Sequence, residues 1–513
     1  MRKTLYSLAA IICGFSIFTS AIPASHSKQP DNVLSPQMLV DSISSTEPMR
    51  SALLGVLAVR GESDTIVAYN PFCKLKPASN TKLLTTGITM LRLGPDWQYS
   101  TYLKTDSRVS GGELEGDLYI VGTGDPSTGV SDYEENPTLE ATFAQWKAIL
   151  DKKGIKRIKG CVIGDGRWFG GNHIPVTWEY DDLISSYSGA CEALNVNENC
   201  VRVKIANVSS PGQRITGITA DKPALPWMKF ISEACSVGGR GYNISCYPSI
   251  VQPYTVVSGN IGVKRKAAYT FIKNFFGAYT CAQLFHDYLV KNGISVGGGY
   301  ADISSSGIIR KNLNNPANGP KAETELSVLG EYKSVKLKQM IGDCNRESDN
   351  FYAEAFLRTL AKDLTGSASY KSCSSARDTM FRRLGLRIRD GYRIVDGCGL
   401  STENYVSPDF FVRFLKAMSK TPVFPEYLES LPNPGEGTLT NRIKQEPDSV
   451  KARVCMKSGY IDGTVCFSGY ILAESGNPDD TIYFSIMSNN ATGAISHVYH
   501  LMDQIIARLA HEN

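Results

Sequence analysis

Three short elements carry side chains whose types and spacing suit nucleophilic chemistry: Ser79-x-x-Lys82, Ser348-Asp349-Asn350 and Lys457-Ser458-Gly459. On a helix, Ser79 and Lys82 share one face a turn apart. A serine at a helix start lies near backbone N–H groups that have no partner within the helix. A lysine crowded by other cations and partly out of water gives up its proton more readily, and the free amine accepts the proton of Ser79. Ser348 is placed to relay that proton to a departing amine. Asn350 offers an amide to a peptide backbone and to Lys82. Lys457 supplies positive charge for a carboxylate, and Ser458 adds a hydroxyl. The strand carrying Lys457, Ser458, Gly459 and Tyr460 suits pairing with an extended peptide. The chemistry is acyl transfer through a serine ester.

The surrounding pattern has to position these groups. A hairpin is expected at Leu53–Val59 and Thr65–Tyr69, followed by a helix over Leu83–Leu93 that Ser79 opens. Helices are expected at Ser334–Gly342 and Phe351–Leu364, with Ser348 between them. The last part reads as strands at Ala452–Met456, Val465–Leu472 and Ile482–Met487, then a helix on which Ile495, Val498, Met502, Ile505 and Leu509 form one apolar face. From Tyr99 to Tyr300, short apolar runs alternate with Gly, Asp, Asn and Pro, the texture of inserted β-rich modules. Singly the three elements are weak. S-x-x-K recurs at Ser25–Lys28, and S-x-N recurs at Ser258–Asn260, Ser475–Asn477 and Ser488–Asn490. Order and context separate the real set from these.

That set is the S-x-x-K, S-x-N and K-[ST]-G signature of penicillin-recognising enzymes. The chain resembles the class C low-molecular-mass penicillin-binding proteins, the D-alanyl-D-alanine carboxypeptidase/endopeptidase family. The resemblance rests on Pro77–Thr85, Gly122-Thr123-Gly124-Asp125-Pro126-Ser127, Ala193–Asn197, Asp396-Gly397-Cys398-Gly399-Leu400-Ser401 with Val406-Ser407-Pro408, and Lys457–Gly459 with Asp462-Gly463 and Ser468–Tyr470. It implies an α/β (α+β) fold: a transpeptidase-like domain with an antiparallel sheet flanked by helices, and inserted β-rich domains. The expected division is a signal peptide at 1–24, catalytic segments at 29–95 and 322–513, and an insertion at 96–321 that folds largely apart from the catalytic core. The 266 residues from Lys82 to Ser348 leave room for that insertion.

The resemblance also implies Ser79, Lys82 and Ser348 as catalytic residues. It implies Asn350, Lys457, Ser458, Gly459 and Tyr460 as substrate-binding residues, and peptidoglycan peptides and β-lactams as partners. It implies no cofactor, and it leaves a homodimer open. Asp125 either meets the side-chain amine of a diamino acid in the stem peptide or simply shapes a turn before Pro126. Three departures stand out: Ser458 where threonine is commoner, which keeps the hydroxyl, Tyr460 where a small polar residue is usual, and Cys398 where serine is usual.

Competing readings are a β-lactamase, a D-amino-acid esterase or amidase, and a non-catalytic wall-binding protein. A class A β-lactamase needs a water-activating glutamate in E-x-x-L-N. Glu192-Ala193-Leu194-Asn195 is one residue short, and Glu192 is expected on the surface or in a loop. Arg167 and Trp168 are expected in a turn and a core contact.

Composition bounds the rest. The chain has 513 residues, 42% hydrophobic and 20% charged, ordinary globular material for two or three domains. Net charge is +4, and +2 without Arg2 and Lys3, too little to argue for nucleic acid or an anionic membrane. Arg2-Lys3, the apolar Leu5–Phe18 and the small residues at Ala21 and Ala24 read as a secretory leader, hence a secreted or periplasmic protein. Of thirteen cysteines, twelve lie beyond the leader. Their even number favours disulfides, with Cys191–Cys200 and Cys235–Cys246 as local candidates and reduced buried thiols as the alternative. No C-x-x-C pair exists, and His497 and His500 lack further ligands for a metal.

Overall fold

The computed structural model describes residues 34–512 except 132, 134, 304–308, 313–314, 318–324 and 388–390. The expected leader and the second S-x-x-K at Ser25–Lys28 lie outside the described residues. The hairpin forms as β1 (Leu53–Arg60) and β2 (Asp64–Tyr69). Helix α1 (Thr81–Leu93) ends at Gly94, whose φ of 90° turns the chain away while its N–H bonds the Met90 carbonyl. Helix α2 spans Leu337–Glu347. Helix α3 (Asn350–Thr365) starts at Asp349, whose carboxylate accepts the Tyr352 N–H at 3.0 Å. Strands β3 (Val454–Ile461), β4 (Thr464–Ile471) and β5 (Ile482–Asn489) precede helix α4 (Ile495–Ala510).

The two ends of the chain close one antiparallel sheet in the order β2-β1-β5-β4-β3. Strand alternation divides it into two cores. Val454 and Met456 of β3 pack with Leu54, Phe467 and the apolar face of α4, whereas Cys455 packs with α1, α2 and α3. The motif strand β3 is left at the sheet edge, where an extended peptide can pair with it.

Among the described residues, the insertion contributes no strand to that sheet. Its main sheet has seven strands and runs out to Ser327–Lys333, which pairs antiparallel with Ser100–Thr105. The expected boundary at 321 is therefore too early, since the insertion reaches Lys333. The region is also less purely β than its texture implied, for helices Leu139–Lys152 and Gly277–Lys291 cover the sheet. A smaller module at residues 200–273 holds two further sheets.

The insertion does not fold largely apart from the catalytic core. Trp178, Cys191, Ala193 and Phe275 belong to the same apolar cluster as α1 and α3. Arg358 of α3 is fully buried, and a buried guanidinium needs acceptors. Two of these, the Cys191 carbonyl at 2.7 Å and the Gly170 carbonyl at 3.1 Å, come from the insertion.

All twelve described cysteines are unbridged. Cys235 lies beside Asn260 on one side of strand Tyr254–Gly262, and Cys246 lies beside Val257 on the other. Two strand spacings, about 9–10 Å, exceed the Cα separation a disulfide spans. Neither proposed local bridge forms; Cys200 Sγ instead meets the Ser186 carbonyl at 3.2 Å.

Candidate active site

Ser79 sits in a single 3₁₀ turn, Ala78–Asn80, leading into α1. Ala78 before it has φ 47°, an uncommon backbone state for a residue with a side chain, so the neighbours must hold this turn. Two glycines make that possible. A Cβ on Gly459 of β3 would lie 2.8 Å from the Pro77 carbonyl oxygen, and one on Gly399 would lie 1.9 Å from that of Ala78. Only bare backbone fits on either side of the nucleophile.

Lys82 is fully buried. Its Nζ lies 2.9 Å from Ser79 Oγ, 2.6 Å from Asn350 Oδ1 and 2.8 Å from the Cys398 carbonyl oxygen. Ser348 takes the left-handed position (φ 61°, ψ 40°) that ends α2, and Asn350 opens α3 two residues later. One Asn350 Nδ2 hydrogen is donated to the Tyr187 carbonyl at 2.9 Å. The insertion thus orients a motif residue, a backbone contact that no side-chain pattern signals.

Lys457 is buried beneath the cleft, with Nζ 2.9 Å from the Ser458 carbonyl. Burial first and the Lys82 charge second hold its ammonium well below the usual lysine range. On the neighbouring residue, Ser458 Oγ lies 2.8 Å from Thr438 Oγ1 at an exposed position. Thr438 sits in the turn Gly437–Leu439 and was not singled out in the sequence. Tyr460 stands at the rim, its hydroxyl 3.3 Å from Asp462. Across from it, Tyr187 donates to Asp182 at 2.8 Å, and both groups lie in the field of Asp462.

Asp125 is buried, and its oxygens accept the Ser127 N–H at 2.8 Å, the Ser127 hydroxyl at 2.6 Å and the Thr128 hydroxyl at 3.1 Å, the bonds of a turn before and after Pro126. Burial pushes its carboxyl up. Glu192 is also not at the surface. It is buried, and its carboxylate accepts the Ala278 N–H at 2.8 Å at the start of helix Gly277–Lys291. Arg167 is paired with Asp165 and Trp168 lies under Lys362, a turn and a core contact as expected.

The loop that accepts from Lys82 hangs on two buried carboxylates. Glu354 Oε1 accepts the N–H groups of Gly397 and Cys398 at 2.6 and 2.7 Å. Asp396 accepts from Trp178, Gly399, Ser401 and Asn404. Glu354, Asp396 and Cys398 could approach a metal ion by distance, yet these hydrogen bonds engage all four carboxylate oxygens once Tyr370 reaches Glu354 Oε2. Burial first and the Asp396 charge second push the Glu354 carboxyl up to about 7. The folded chain therefore keeps a proton that the unfolded chain releases near 4.5, so this group's contribution to stability falls as pH rises from 4.5 to about 7. Across that window, the wild-type melting temperature is expected to decline relative to Glu354→Gln. Parallel curves would show that Glu354 stays ionised.

A serine hydroxyl 2.9 Å from the amine of a buried lysine, between a helical region and an edge strand, is the arrangement expected of a serine acyl-transfer enzyme of the penicillin-recognising kind. The chain belongs to the D-Ala-D-Ala carboxypeptidase 3 (S13) family, whose model matches residues 37–509, and is a serine-type DD-peptidase. It is 26% identical over 483 residues to the D-alanyl-D-alanine carboxypeptidase of Actinomadura sp. (strain R39), covering 92% of this chain and 84% of that one. It is 25% identical over 472 residues to penicillin-sensitive carboxypeptidase A of Dictyostelium discoideum, covering 88% and 84%. Its fold matches the crystal structure of penicillin binding protein 4 from Haemophilus influenzae with a TM-score of 0.75 at 20% identity, covering 92% of this chain and 98% of that one. No helix among the described residues is long and apolar enough to cross a membrane.

Proposed function

We propose that this DD-peptidase acts outside the cytoplasm on peptidoglycan stem peptides, opening both the terminal D-Ala-D-Ala bond and the diamino-acid cross-link through an ester on Ser79. The observation that carries this reading is the 2.9 Å approach of Lys82 Nζ to Ser79 Oγ. An unprotonated amine has two hydrogens and one lone pair. The hydrogens serve Asn350 Oδ1 and the Cys398 carbonyl, and the lone pair takes the Ser79 proton. Ser79 Oγ bonds to the penultimate D-Ala carbonyl carbon, and the oxyanion rests on the N–H groups of Ser79 and Tyr460. The C–N bond breaks as the proton passes through Ser348 to the departing amine. Water then hydrolyses the ester. β-Lactams form the same ester and stay. The Dictyostelium relative is a penicillin-sensitive carboxypeptidase by name, which supports this last point.

The leaving residue of both substrates carries a free carboxylate. Ser458 and Thr438 hold it by their hydroxyls over Lys457, whose protonated form the arriving carboxylate stabilises against the cost of burial. A charge-assisted contact of this kind is worth about 1.5–3 kcal/mol, or roughly ten- to a hundredfold in rate where it is felt in the transition state. Amidating the terminal carboxylate of a D-Ala-D-Ala peptide should therefore lower kcat/KM by about that factor. The same penalty should be much smaller in Lys457→Ala. Equal cleavage of acid and amide by the wild type would sink the DD-peptidase reading in favour of the esterase or amidase.

A further inference from the structure

The modest charge of the whole chain hides an uneven distribution. Residues 200–273 contain ten lysines and arginines against two acidic residues, a net +8, so the rest of the +4 chain sums to −4. Eight of those ten cations are exposed. The two exceptions are accounted for. Arg202 is paired with Asp221, and the buried Lys273 donates to the Glu198 carbonyl at 2.9 Å.

The exposed charge is concentrated by backbone contacts. The loop after strand Tyr242–Pro248's partner, residues 263–266, lies against residues 238–241: Lys264 N–H bonds the Gly239 carbonyl at 2.9 Å, and Arg265 donates to the Arg240 carbonyl. Arg240, Lys264, Arg265 and Lys266 therefore share one tip. The Arg265 guanidinium lies 4.6 Å over the half-exposed Tyr242 ring. Asn207 N–H bonds the Lys266 carbonyl at 3.1 Å, joining the tip to the sheet on which exposed Lys204 stands opposite exposed Tyr269. Four like charges in one place repel one another, a cost that the contacts of Arg265 offset for one of them only.

The module also abuts the cleft. Its strand Ala267–Lys273, which carries Tyr269, bridges at Ile272 to Ser185, two residues from the Tyr187 carbonyl that holds Asn350. A cleft of ≈ 380 Å³ lined by Asp181, Tyr187, Tyr247 and Phe271 lies along this seam.

We propose that the module at residues 200–273 docks the carboxylate-bearing peptidoglycan polymer through the basic tip and its tyrosines, holding the wall beside the active site. The proposal rests on the DD-peptidase reading for the choice of polymer. Stem peptides present carboxylates repeatedly along a glycan, so the surface that meets the uncut neighbours of a substrate peptide is anionic. Tyr242 and Tyr269 are half-exposed rings, each with a guanidinium over one face, Arg265 and Arg202 respectively, and their exposed remainder suits a sugar ring. A phosphate polymer or an anionic bilayer would satisfy the charge alone and would not explain the position next to this cleft.

The test is co-sedimentation of the full chain with purified sacculi, in a Ser79→Ala background so that the polymer stays intact. At low ionic strength, R240Q/K264Q/R265Q/K266Q should lower binding about tenfold, and salt should release the parent protein. On the Ser79 background, the same four changes should leave hydrolysis of a soluble D-Ala-D-Ala peptide unchanged, which also shows that the chain is folded. Undiminished binding by the variant overturns the proposal. So does equal binding of the parent to sacculi whose carboxylates have been amidated, or binding only to anionic vesicles or phosphate polymer. If the soluble peptide is not cleaved by the wild type, the catalytic reading fails by itself, and docking is still judged by the sedimentation arms.

Discussion

Replacing Ser79 by alanine should abolish the penicillin adduct and lower turnover of a D-Ala-D-Ala peptide by about 10⁴-fold or more. The expectation follows from the site: Ser79 Oγ is the serine hydroxyl that Lys82 Nζ reaches, and the other groups bonded to that amine are carbonyl oxygens. In the wild type, intact-mass spectrometry should show one adduct that persists. A fast exit needs a carboxylate able to activate water at the ester. Glu192, the one candidate by motif, is committed to the start of helix Gly277–Lys291 inside the insertion. An adduct of equal stoichiometry in Ser79→Ala would reassign the nucleophile. Ser25→Ala, at the other S-x-x-K, should leave adduct and turnover as they are.

The parts of this site that were legible in the sequence are those whose chemistry needs a particular side chain. Ser79, Lys82, Ser348, Asn350, Lys457 and Ser458 are recognisable because the proposed nucleophile, base, relay and carboxylate grip admit few residue types. What was hidden acts through backbone or through placement by the fold. The Tyr187 carbonyl that orients Asn350 would be present for any residue at that position. Thr438 meets Ser458 only because its turn is pressed against the end of α2, where a Cβ on Gly437 would lie 2.3 Å from the Arg346 carbonyl oxygen.

The catalytic strands were readable as largely apolar runs, and the fold buries β4 and β5 along their whole length. The insertion's boundary was not, because Ser327–Lys333 is a half-exposed edge strand with no apolar period to mark it. Cysteine parity misled for a related reason. It counts thiols, whereas strand register decides which of them meet, and register puts Cys235 and Cys246 on opposite sides of one strand. The +4 total misled by averaging a basic module with an acidic remainder.

Lys82→Met should lower the rate of penicillin acylation and of peptide turnover by about 10²–10⁴-fold while the chain still folds. Methionine matches the unbranched stem of lysine and removes only the amine. The loss has two parts that can be measured separately. The kinetic part is the missing acceptor for the Ser79 proton. It should appear in kcat with little change in KM, because Lys82 is fully buried and has no surface for the ground-state substrate. The structural part is the loss of a donor to Asn350 Oδ1 and to the Cys398 carbonyl, at 2.6 and 2.8 Å in the wild type. Leaving a buried acceptor unsatisfied costs about 1–3 kcal/mol, so a lower melting temperature is expected alongside the kinetic defect. Adding Ser348→Ala to Lys82→Met should cost much less than it does in the wild type, because a relay has no proton to carry once its source is gone. Full additivity of the two changes would show that Ser348 takes its proton from elsewhere, and a Lys82→Met enzyme that acylates at the wild-type rate would remove Lys82 from the base role.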